Sequence, residues 1–95
     1  MRKSEAPRDD WTNLFGSNSR CEILRLFFNH PGQIFYQREI MFEAGLRLQG
    51  AQRELANLTA LKILERKESG NRVYYELNQE SDLYSALQQI FSKRK

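Results

Sequence analysis

Between Gly45 and Leu58 the sequence GLRLQGAQRELANL sets Gln49, Gln52, Arg53 and Asn57 among apolar residues at helical spacing. Arginine offers a bidentate fork suited to guanine, and the carboxamides of Gln and Asn match adenine, so these types on one helix face can read base edges. Other chemistry is scarce. The single histidine, His30, and the single cysteine, Cys21, stand nine residues apart at opposite ends of a predicted helix and do not make a metal site together. No phosphate-binding loop, dinucleotide fingerprint or nucleophile–base pairing occurs, and the carboxylates are dispersed among basic neighbours. The expectation is no enzyme, no metal and no cofactor.

At about 100° per residue, Leu48, Ala51, Leu55 and Leu58 gather on one arc of the helix, with Arg53 almost opposite. Gln49, Gly50 and Asn57 flank Arg53, with Gln52 and Ala56 on one shoulder and Arg47 and Glu54 on the other. Taken alone, this is also how the solvated side of an amphipathic helix looks. Gly50 costs about 1 kcal/mol relative to alanine inside a helix. A close approach of phosphate or base edge to the backbone accounts for it, and so does neutral drift.

The elements around this helix decide between those readings. With 95 residues, 40% of them hydrophobic, the chain holds one core and one domain. A net charge of +3 leans weakly towards an anionic partner. One cysteine excludes an internal disulfide framework. No signal-like apolar run follows Met1, and the longest apolar cluster, ILRLFF, is too short to span a membrane, so a cytoplasmic protein is expected.

Residues 1–9 mix charges around Pro7 and are expected to form a flexible tail. Asp10 is placed to cap a turn in which Trp11, Leu14 and Phe15 share a face. Ser19 and Glu22 have capping-box spacing ahead of Ile23, Leu24, Phe27 and Phe28, which predicts a helix over 18–29. After NHPG and a short apolar piece, QIFY, a helix over 37–44 ends at Gly45, where a left-handed cap is wanted. The next helix covers about 48–61. ILERKESGNRVYYELN then alternates with period two, predicting strands over 63–68 and 72–77 around a Ser69-Gly70-Asn71 turn. A last helix spans 81–92, before a basic end at 93–95.

Helix, short strand, helix, turn, helix, hairpin, helix is the order of a winged helix-turn-helix, an α+β fold, mainly α, over residues 10–92 with a two- or three-stranded β-wing. The segments LFGSNSRCEILRLFFNHPGQIFYQREI, GLRLQGAQRELANL and SGNRVYYELN together resemble the small winged-helix transcriptional regulators of the ArsR-like superfamily. The resemblance implies duplex DNA binding as a homodimer, with the second helix of the motif in the major groove and the hairpin as a wing. It departs at Arg47, where relatives commonly have Ser or Thr, at Ala51, where they have Val, and at Lys62, where they have Gly. The cysteine-rich motif of metal-sensing relatives is absent.

Within this frame Arg47, Gln49, Gly50, Gln52, Arg53 and Asn57 are candidate DNA-binding residues on or beside the recognition helix. Arg38 is placed for a phosphate or, equally, for a surface ion pair with a nearby Glu, and Asn71 and Arg72 for the minor groove or backbone at the wing, about 63–77. Arg20 and Arg25 are expected to be surface charges. Tyr74 and Tyr75 suit packing better than a single-strand stacking platform. Trp11, Leu14 and Phe15, with Leu83, Tyr84, Leu87, Ile90 and Phe91, are more apolar surface than a monomer of this size covers, and predict a homodimer; the alternative is that they fold back on the chain's own core. The alternative is a winged-helix protein-interaction module, for instance a partner of a nucleotidyltransferase-like protein, that does not itself bind DNA.

Overall fold

Helix α1 (Asn18–Asn29) opens the computed structural model, which describes residues 18–92, and buries Cys21, Ile23, Leu24 and Phe27 along one stripe. The expected tail over 1–9, the turn carrying Trp11, Leu14 and Phe15, and the basic end at 93–95 lie outside the described residues. The expected Ser19–Glu22 capping box is corrected. Asn18 is already helical, so Ser19 lies inside the helix rather than before it.

His30 to Gly32 turn the chain, with Gly32 at φ 87° and His30 lying edge-on to Phe35. Strand β1 (Phe35–Tyr36) runs directly into α2 (Gln37–Ala44). Glu39 holds that junction, its carboxylate accepting the Tyr36 backbone N–H at 2.8 Å, which satisfies one of the donors a helix start leaves open. Gly45 ends α2 in the left-handed region at φ 67°, as its position predicts.

Helix α3 (Leu48–Ala60) starts three residues later. Its capping residue, Arg47, makes no side-chain capping bond, which is the weakness expected of arginine at a position suited to Ser or Thr. The helix closes with Ile63 N–H donating to the Leu58 carbonyl at 3.0 Å and Lys62 at φ 64°. Lysine thus occupies a left-handed position where the resemblance offers glycine. The Asn78 carboxamide donates to the Lys62 carbonyl at 2.9 Å and helps hold that conformation.

Strands β2 (Leu64–Ser69) and β3 (Arg72–Leu77) pair antiparallel from Leu64↔Leu77 to Ser69↔Arg72, and β1 adds on the far side of β3 through Phe35↔Tyr75 and Tyr36↔Tyr74. The wing is therefore three-stranded, in the order β1-β3-β2. Ser69 belongs to β2, which shortens the expected turn to Gly70-Asn71. Helix α4 (Tyr84–Ser92) begins three residues after the expected Ser81, whose hydroxyl accepts the Leu83 N–H at 3.1 Å in a separate turn.

Phe27 meets Phe35 edge-to-face at 5.1 Å, and Ile40, Leu55, Leu58, Leu64, Tyr75 and Leu77 complete the core around them. Leu87 and Phe91 are buried in this same core, with Phe28 stacked on Phe91 at 5.6 Å. That corrects their assignment to an interface between copies, because α4 folds back on α1 and buries them within the chain. Tyr84 and Ile90 are half-buried, and Leu83 remains exposed. Leu48 is also corrected. Expected on the buried arc, it is the first residue of α3 and is 48% exposed.

Candidate nucleic-acid interface

Ala51, Leu55 and Leu58 anchor α3 to the core, leaving Gln49, Gln52, Arg53, Ala56 and Asn57 exposed. This is the amphipathic division the helical spacing predicts. One shoulder differs. Glu54 is buried, and its carboxylate accepts a hydrogen bond from Arg20 Nε at 2.8 Å. Neither residue is the plain surface charge expected of it. A helical wheel treats α3 in isolation, whereas the N-terminal turn of α1 docks on this shoulder and brings the guanidinium with it.

Gly50 lies one turn before Glu54 on the same side. It is half-buried, and a Cβ added to it would stand 3.9 Å from the Ser19 hydroxyl, an ordinary van der Waals distance. Its expected place flanking Arg53 thus also borders the start of α1. Nothing in the packing demands glycine there. Gly50→Ala is expected to stabilise the domain by about 1 kcal/mol in chemical denaturation and to leave nucleic-acid affinity unchanged. A fall in affinity would restore the idea of close approach to the backbone.

The cations divide into two sets. Arg66 pairs with Glu68 at 2.8 Å, and Lys67 sits between Glu76 at 2.6 Å and Glu65 at 4.0 Å. The hydrogen bond to Glu76 raises the Lys67 pKa above the ordinary lysine value. Arg25 lies 3.8 Å from Glu22 and donates to the Cys21 sulfur at 3.3 Å. By contrast, Lys62, just past α3, and four arginines, Arg38, Arg47, Arg53 and Arg72, are exposed and form no ion pair among the described residues. The arginines lie at the start of α2, in the turn before α3, on α3 and at the wing tip, the elements a helix-turn-helix presents to DNA.

Arg38 and Arg72 line one cleft of about 370 Å³, together with Tyr36, Gln37, Glu39 and Asn71. The Arg72 guanidinium rests over the Tyr36 ring, 5.0 Å from its centre, and Tyr36 packs edge-on to Tyr74 at 5.8 Å. A second cleft, between α3 and the sheet, is lined by Gln37, Gln52, Ala56, Arg66, Val73 and Tyr75 among others. Tyr36, Gln37 and Arg66 are residues of this surface that sequence reasoning left out. For Arg66 a signal existed: it is two residues from Leu64, so strand alternation sends both to the same face of the sheet. Tyr36 and Gln37 straddle a strand-to-helix boundary, where neither period applies.

Among the described residues no group of three His, Cys, Asp or Glu side chains gathers where a metal ion could sit, and no helix is long and apolar enough to cross a membrane. No protein-family model matches the chain, and no curated protein matches it in sequence. Solved structures do resemble it. A point mutant of MepR from a multidrug-resistant S. aureus clinical isolate superposes with a TM-score of 0.66 and 20% identity, over 93% of this chain and 68% of that one. Sso10a-2, a DNA-binding protein from Sulfolobus solfataricus, gives a TM-score of 0.59 at 20% identity, over 77% of this chain and 78% of that one. At such identities the likeness is one of fold. Together with the helix-turn-helix of α2 and α3 and the hairpin that follows, it identifies the chain as a winged helix-turn-helix domain.

Proposed function

We propose that this chain is a sequence-specific, double-stranded DNA-binding transcriptional regulator of the ArsR-like kind, acting in the cytoplasm as a homodimeric repressor by occupying its operator. The observation that carries the proposal is the set of exposed arginines without ion-pair partners, Arg38, Arg47, Arg53 and Arg72, spread over α2, α3 and the wing. Gln49, Gln52, Arg53 and Asn57 on α3 read base edges in the major groove. Arg38, Arg47, Asn71 and Arg72 hold the flanking backbone. Leu83, Tyr84 and Ile90, with Trp11, Leu14 and Phe15, supply the contact between copies.

Selection from a random duplex library with the purified protein tests this. Enrichment of two inverted half-sites about 34 Å apart is expected. A single half-site would sink the homodimer, and failure to enrich any site would sink DNA reading by α3.

The second reading, a protein-interaction module such as a partner of a nucleotidyltransferase-like protein, has one observation in its favour. Phe42 on α2 is 81% exposed, an unusual state for so large an apolar side chain. It gains ground if the selection enriches nothing.

A further inference from the structure

We infer that Arg38 and Arg72 grip one and the same backbone phosphate, and that Tyr36 is the residue that positions Arg72 to do so. This rests on the reading of the chain as a duplex-DNA binder. Three observations converge on it. Both arginines line a single cleft of about 370 Å³ between the start of α2 and the wing tip, a volume that matches a phosphodiester and its neighbouring sugars. Neither arginine has an ion-pair partner among the described residues. Arg72, moreover, does not extend freely from the hairpin: its guanidinium lies 5.0 Å from the centre of the Tyr36 ring, and that ring is braced by Tyr74.

Glu39 also borders the cleft, but its carboxylate is turned onto the Tyr36 backbone N–H at 2.8 Å. Two arginines against one carboxylate leave a net positive site. A guanidinium stacked on a ring keeps its edge N–H donors free, and holding it there lowers the ordering cost of a charge-assisted bond to phosphate. A wing arginine fixed in this way belongs to the backbone beside α2 rather than to the floor of the minor groove. It therefore contributes affinity and register but no sequence preference.

The experiment uses a fluorescent duplex of mixed sequence, titrated with the full chain over a series of salt concentrations. Wild type, Arg38→Ala, Arg72→Ala, the double variant, Tyr36→Leu and Tyr36→Phe are compared, each checked for folding by circular dichroism. Each arginine variant is expected to lose about tenfold in affinity. The double variant should lose little more than either alone, with a salt slope lower by about 1 rather than about 2. Tyr36→Leu should reproduce the Arg72→Ala loss and salt slope, and Tyr36→Phe, which keeps the ring, should bind as wild type. Losses that multiply in the double variant, or a folded Tyr36→Leu that binds normally, would overturn the shared clamp while leaving DNA binding intact. Absence of duplex binding by the wild type would overturn the DNA reading, and the clamp with it.

Discussion

Arg53→Ala is expected to lower affinity for a selected duplex by on the order of ten- to a hundredfold, to relax the preference at one base pair, and to leave the unfolding midpoint unchanged. The first two effects follow from a bidentate arginine–guanine contact, which is worth about 1–3 kcal/mol of discrimination. The third follows from the structure: Arg53 is exposed on α3, opposite the buried Ala51, Leu55 and Leu58, and makes no ion pair among the described residues. Competition binding with wild type and variant on the same duplex, beside a thermal melt of each, separates these effects. Equal affinity and equal base preference would remove α3 from the interface, whatever the wing does.

Phe27→Ala should act in the opposite way, on the fold and only through it on binding. Phe27 is fully buried and lies edge-to-face with Phe35, the residue before Tyr36. Removing so large a buried ring costs about 3–5 kcal/mol through lost transfer energy and the cavity left behind. A domain of this length has about 5–14 kcal/mol in all. The unfolding midpoint is therefore expected to fall by about 12 °C or more. Because Phe27 ties α1 to β1, and β1 carries Tyr36, the change also reaches the ring beneath Arg72. A shift of only a few degrees would mean that Phe27 is not the centre of the core.

Much of this fold is legible in the order of residues. The end of α1 at Asn29 and the boundaries of α2 at Gln37–Ala44 and β3 at Arg72–Leu77 agree with the spacing of apolar residues and with Gly45 as a terminator. Such features are local: a helical stripe, a two-residue alternation and a glycine at positive φ each act within a few neighbours. The errors of boundary and phase fall at the ends of elements, where neither the helical nor the strand period holds over enough residues to decide. Ser19 was expected to cap α1, yet the helix already includes Asn18. Ser69 joined β2 because its register partner is Arg72, across the hairpin. Leu48, placed on the buried arc by its phase, lies beyond the part of α3 that the core covers.

The candidate interface divides in the same way. That Gln49, Gln52, Arg53 and Asn57 face away from the leucines is a property of the helical period alone, and the exposed positions agree with it. By contrast, nothing in the spacing pairs Glu54 with Arg20, 34 positions away, or turns Gly50 towards Ser19. Nor could it set Arg72 over Tyr36 and bring both to one cleft with Arg38. The sequence by itself thus determined the winged-helix order and which side of α3 is polar, because periodicity and turn chemistry are short-range. Only the tertiary structure decided which charges are matched and which are left open, because an ion pair or a stacked guanidinium depends on segments that pack together without being neighbours in the chain.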